Sequence, residues 1–118
     1  MSLQVQTKKI GSTLVVRLQG ELDHHTAEIV RERVEGELNK DLTPHLIMNL
    51  EGLSFMDSSG LGVILGRYKR VSQMGGRMAL CSVNDTLLRL FELSGIQKIL
   101  RIYDSETHAL AEIGEVKL

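Results

Sequence analysis

The sequence predicts a single α/β domain: a mixed, mostly parallel sheet of four to five strands opening with an antiparallel hairpin and packed with about four α-helices. Three observations predict it. Apolar residues recur at every second position and then at helical spacing, and this change of period happens four times along the chain. Turn-forming residues, Gly20, Gly75-Gly76 and Ser94-Gly95, stand where the period breaks. Finally, 118 residues of which 42% are hydrophobic can bury one core but not two, so one domain is expected over residues 1–118.

A first strand is read over Val5 to Ile10 and a second where Leu14, Val16 and Leu18 alternate before Gly20, with Gly11-Ser12 joining them as a hairpin. Ala27, Val30, Val34 and Leu38 then fall on one helical face, with Glu28, Arg31, Glu32, Glu35 and Lys40 elsewhere. Pro44 punctuates the turn before the next strand, Leu46 to Leu50. A loop follows, and then a helix whose apolar positions are Leu61, Ile64, Leu65, Tyr68 and Val71. Gly75-Gly76 ends it where left-handed backbone is needed. Arg77 to Cys81 reads as a strand, and Asn84 caps a third helix through Leu93. On that helix Leu87, Leu88, Leu90, Phe91 and Leu93 cover an arc of about 220°, which predicts burial between the sheet and the last helix. The alternative leaves Leu90 or Leu93 at the surface in a contact patch. A last strand, Ile99 to Tyr103, precedes a helix that starts at Asp104 or Ser105 and runs to about Ile113. Strand order is not legible at this level.

Lys and Arg number 14 against 15 Asp and Glu, for a formal charge of −1, which argues against an electrostatic grip on nucleic acid or an anionic membrane. The longest apolar run, Met78 to Cys81, is far short of the roughly 20 residues that cross a bilayer. The first residues lack the apolar heart of a secretory signal. The expected setting is therefore cytoplasmic, with no membrane insertion. Cys81 fits a reducing compartment as a small buried apolar group.

Local rules and sequence disagree between Phe55 and Gly66. Gly60, Gly62 and Gly66 occupy the first turns of a helix, where each costs up to about 1 kcal/mol relative to alanine. For Gly66 close packing on a strand is the expected reason. For Gly60 and Gly62 the near approach of another backbone or a ligand serves equally well. Asp57-Ser58-Ser59-Gly60 has the form of a helix N-cap, and Ser58 is read as the capping hydroxyl. The same geometry puts that hydroxyl close to free backbone N–H groups and makes it a good covalent switch. A phosphate there adds about −1.5 to −2 charges. If the preceding strands are parallel neighbours, Glu21 and Asp23 open on the same sheet edge as Ser58.

Other chemistry finds little support. His24 and His25 lack further ligands for a metal, and His45 and His108 stand alone. Gly-x-Ser-x-Gly is absent, and nothing places a base beside Ser58. The glycines from Gly60 to Gly66 suggest a phosphate-binding turn, but the Lys-Ser/Thr ending is missing and Asp57 would repel phosphates. No cofactor is expected.

Gly20-Glu21-Leu22-Asp23, the run Asp23 to Ala27 (Asp-His-His-Thr-Ala) and the run Ser54 to Lys69 together resemble the anti-sigma factor antagonists with a STAS domain, over nearly the whole chain. That resemblance implies a regulatory binding protein, not an enzyme. It implies phosphorylation of Ser58, the first serine of Asp-Ser-Ser-Gly, by an anti-sigma factor that is also an ATP-dependent serine kinase, SpoIIAB. The unphosphorylated form would bind SpoIIAB and free sporulation sigma factor F. The phosphatase SpoIIE would remove the phosphate. The expected partner-binding residues are Glu21, Asp23, Met56, Asp57, Ser58, Ser59, Leu61 and Gly62. Glu21 and Asp23 would pair with basic groups, Leu61 would supply apolar area, and Gly62 would allow close approach. For Asp23 and Leu61 the competing readings are a cap on the first helix and a core position. A STAS domain can also be the cytosolic appendage of an anion transporter, a reading disfavoured by the absence of a membrane segment.

Overall fold

The computed structural model describes residues 2–41 and 43–114; the expected domain limits, 1 and 118, lie outside them. The chain runs β1 (Leu3–Ile10), β2 (Thr13–Leu22), α1 (Ala27–Asp41), β3 (His45–Met56), α2 (Ser58–Gln73), β4 (Met78–Cys81), α3 (Asp85–Ser94), a 3-10 turn (Ile96–Lys98), β5 (Arg101–Tyr103) and α4 (Glu106–Ile113). The described strands form one sheet in the order β1-β2-β3-β4-β5. β1 is antiparallel to β2, and every later neighbour is parallel. The expected architecture is therefore the one observed.

Alternation along the strands divides the core between two faces. Leu14, Val16 and Leu18 of β2, Leu46, Met48 and Leu50 of β3, and Leu80 of β4 point toward α1, α2 and α3. Val15, Ile47, Ala79 and Cys81 point the other way and are covered by Ala109, Leu110 and Ile113 of α4. Burial pushes the Cys81 thiol up to about 11, so this side chain behaves as an apolar filler.

Five expectations need correction. The strand read as Leu46 to Leu50 continues to Met56, alongside β2. Its register slips twice, between Arg17 and Gln19 and between Gly20 and Glu21, so beyond Leu50 inward residues no longer alternate and the strand reads as loop. Gly20, at φ +118°, sits at this irregularity, where a side chain would collide with the Ser2 carbonyl. On α2 the expected Ile64 and Val71 are buried and Leu61 and Tyr68 pack half-buried against the core, but Leu65 is exposed and the fully buried stripe is shifted toward Gly60, Val63 and Arg67. The shift comes from Arg67, which turns inward to pair with Glu35 of α1, joined by Arg70 at 3.2 Å. A Cβ on Gly66 would meet open space, so packing does not explain that glycine. α3 lies on the face opposite α4, so it is not sandwiched between sheet and last helix; Leu87 and Phe91 are buried while Leu93 is 80% exposed. The last strand is shortened to Arg101–Tyr103, because the amides of Ile99 and Leu100 both bond the Ile96 carbonyl at 2.9 Å and leave Ile99 outside.

Candidate functional site

β2 and β3 run side by side and in the same direction to their ends, where Glu21 faces Phe55 and Leu22 faces Met56. Their following loops therefore open on one edge of the sheet, the carboxyl edge at which parallel α/β sheets place their sites.

The first loop is built around Asp23, which is 2% exposed. Its Oδ1 accepts the N–H groups of His25 at 2.9 Å and Thr26 at 3.1 Å. The Thr26 hydroxyl accepts the Asp23 N–H at 3.0 Å and donates to the Glu21 carbonyl at 2.8 Å. Burial pushes the Asp23 carboxyl up, but the His25 and Thr26 hydrogen bonds together outweigh it and hold the group below the usual carboxylate range. Asp23 was expected to offer its charge to a basic partner group; instead the carboxylate is turned inward and shapes the entrance to α1.

The second loop is built around Asp57, the N-cap of α2. Asp57 Oδ1 accepts from Ser59 N at 2.9 Å and Gly60 N at 3.2 Å. Its Oδ2 accepts from His24 N at 3.2 Å, and its own N–H donates to the Leu22 carbonyl at 3.3 Å. One side chain thus starts the helix and ties the two loops together. This corrects the reading of Ser58 as the cap: Ser58 is the first helical residue, it is exposed, and the neighbouring amides are already satisfied by Asp57. Ser59 is half-buried.

Gly60 is where backbones meet: an added Cβ would lie 2.5 Å from Met56 Cγ and 2.9 Å from the Leu22 carbonyl oxygen. The approach that this glycine permits is by the chain itself. Gly62 is exposed with nothing over it. Met56 is buried, Leu61 is half-buried against the core, and Glu21 is half-buried at the end of β2. The structure thus gathers all eight candidate residues on or beneath one edge, with Ser58 and Gly62 the most open. Phe55, 46% exposed beside Glu21, belongs to the same region and was missed. Its signal, a large apolar residue just before the cap, was masked by the broken alternation of β3.

The rings of His24 and His25 lie 3.9 Å apart at the mouth of the first loop. His24 Nδ1 is 3.8 Å from Asp57 Oδ2, and His25 Nδ1 is 4.0 Å from Asp23 Oδ1. Among the described residues, no group of three or more His, Cys, Asp or Glu side chains is arranged to hold a metal ion. His45 serves the fold, its Nδ1 accepting from Arg77 N at 3.0 Å, and His108 meets Tyr103 edge to face.

The family model of the STAS domain matches residues 4–109. The chain belongs to the STAS-domain family. It is 49% identical over 113 residues to an anti-sigma F factor antagonist of Paenibacillus polymyxa, covering 96% of this chain and 97% of that one. Among solved structures, the unphosphorylated anti-sigma factor antagonist SpoIIAA superposes with a TM-score of 0.74 at 32% identity, over 98% of this chain and 100% of the other. The phosphorylated form of SpoIIAA, a Bacillus cell fate determinant, does so with the same TM-score of 0.74 at 33% identity, over 93% and 99%. In this STAS domain the region matched by the family model contains both loops and all eight candidate residues. No helix among its described residues is long and apolar enough to cross a membrane.

Proposed function

We propose that this STAS-domain chain is an anti-sigma factor antagonist, a cytoplasmic binding regulator switched by phosphorylation of Ser58. In the bare state the edge formed by Glu21, Met56, Asp57, Ser58, Ser59, Leu61 and Gly62, with Asp23 fixing the loop from beneath, docks on SpoIIAB. Docking frees sporulation sigma factor F. SpoIIAB, acting as kinase, transfers the γ-phosphoryl group of ATP to Ser58 Oγ, releasing ADP and the hydroxyl proton. SpoIIE hydrolyses the ester with water and restores docking.

The observation that supports this reading best is the exposed hydroxyl of Ser58 on the first turn of α2, at an edge where Gly62 leaves room for a partner's backbone. Ser59, half-buried on the same turn, is the poorer substrate. A phosphate on Ser58 adds about −1.5 to −2 charges directly beside Asp57 and must be desolvated when the edge is covered. Little rearrangement of the domain is needed, since Ser58 bears no part of the cap. The similarity to curated anti-sigma F factor antagonists and to SpoIIAA in both phosphorylation states supports the same class.

Incubation with SpoIIAB and ATP, followed by peptide mass spectrometry and size-exclusion chromatography, tests the proposal. Phosphate on Ser58 alone, with a complex before modification and none after, is the expected result. Equal association of the two forms overturns it.

A further inference from the structure

We infer that the imidazole of His24 is the counter-charge for a phosphate on Ser58, gaining a proton from solvent when the ester forms and holding the modified loop in register. The inference rests on Ser58 being the modified residue. It starts from a shortage of donors. The helix amides that would ordinarily receive an anion here, Ser59 N and Gly60 N, are bound to Asp57 Oδ1 at 2.9 and 3.2 Å. The phosphate instead arrives one residue from a carboxylate, with Cα atoms about 3.8 Å apart.

The four arginines of α1 and α2 are engaged with acids of their own: Arg31 with Glu28, Arg67 and Arg70 with Glu35, and Arg33 with Glu37. His24 is the group that stands against Asp57. Its backbone N–H bonds Oδ2 at 3.2 Å and its Nδ1 lies 3.8 Å from the same oxygen. The side chain is 69% exposed, beside the residue that immediately precedes Ser58 in the chain.

The titratable and charged groups around His24 are Asp57 at the start of α2, the His25 ring tilted 38° against it, and Asp23 behind His25; Glu28 in the first turn of α1 is held by Arg31. His25 already faces a carboxylate, Asp23, whose Oδ2 is buried without a hydrogen-bond partner. It therefore balances the first loop, while His24 faces the second. A phosphate monoester loses its second proton near pH 6, so a cation beside it favours the dianion, and the dianion in turn favours a protonated imidazole.

The test uses the full chain with phosphoserine installed at position 58 during translation, which requires no kinase. In a 31P NMR titration, the second ionisation of the phosphate is expected at lower pH in the wild-type background than in His24→Gln. The expected gap is about half a unit or more, roughly a threefold change in proton affinity. His25→Gln leaves the wild-type position unchanged. Nitrogen-15 spectra near neutral pH show the His24 ring moving toward the imidazolium pattern only in the phosphorylated protein, a readout that does not depend on any variant folding. Identical phosphate titrations in wild type and His24→Gln, a His24 ring unaltered by the phosphate, or a shift that follows His25→Gln instead overturns the inference. Failure of SpoIIAB to modify Ser58 counts against the proposed function and leaves this measurement unaffected.

Discussion

Asp57 and Ser58 divide two tasks that a single capping serine would have to combine. Asp57 accepts the first amides of α2 and the His24 N–H, while Ser58 keeps its hydroxyl uncommitted by the cap. Asp57→Ala is therefore expected to lower stability by about 1 kcal/mol, the usual cost of losing an N-cap, measured as a shifted urea midpoint. Ser58→Ala is expected to stay within about 0.5 kcal/mol of wild type and to take up no phosphate from SpoIIAB. A cap was legible in Asp-Ser-Ser-Gly, but which side chain supplies it was not, because aspartate and serine are nearly equal as caps and only the backbone geometry decides. The glycines separate in the same way. Gly60→Ala places a Cβ within 2.5 Å of Met56 Cγ and 2.9 Å of a carbonyl oxygen, and should destabilise. Gly66→Ala meets nothing and should stabilise α2 by up to about 1 kcal/mol. Thermal melts of the two variants moving in the same direction would contradict this assignment.

At the scale of elements, the positions that sequence reasoning misplaced are those fixed by partners distant in the chain. The α2 stripe was rotated by the Arg67 pairing with Glu35, and β3 was cut short because its register slips leave no alternation to read. α1, by contrast, keeps Val30, Val34 and Leu38 buried as its spacing requires, since no polar side chain intrudes on that face. The attachment of α4 depends on another distant contact. Glu106, its first residue, receives Arg17 Nε at 2.6 Å and Arg17 Nη2 at 2.8 Å from β2, and Asn49 Nδ2 at 2.6 Å from β3. The Arg17 hydrogen bonds, helped by Asn49 and opposed by burial, hold the Glu106 carboxyl below the usual range. Glu106→Gln keeps a single acceptor oxygen without the charge. It should accelerate amide exchange in α4 more than in α1 or α2, whose contacts lie on the other face. Uniform acceleration across all three helices would show that α4 does not open independently.

For the whole molecule, the alternating periods were enough to reveal a mostly parallel sheet, because strand and helix each impose their own spacing on apolar residues. The distribution of helices over the two faces was hidden, since α3 and α4 are both amphipathic and nothing local says which face each one covers. Ionisable groups distributed over this two-faced body set its response to pH. Asp23 on the loop edge and Glu106 at α4 both have folded-state values below the usual carboxylate range, so the unfolded chain binds their protons more tightly. Their contribution is complete above about pH 4 to 5, where the unfolded carboxylates ionise, and is lost as pH falls through the folded values. Cys81 has the opposite sign. Its thiol is raised by burial to about 11, so its contribution is complete below the ordinary thiol range and fades as pH rises toward that value. Urea midpoints measured from pH 3 to pH 10 should form a plateau with an acid and an alkaline fall. Glu106→Gln should shallow the acid limb alone, and Cys81→Ala the alkaline limb alone, each from a lower plateau. An acid limb unchanged in Glu106→Gln would mean that the tie between α4 and β2 carries no net stability, and that the apolar contacts of Ala109, Leu110 and Ile113 hold the helix by themselves.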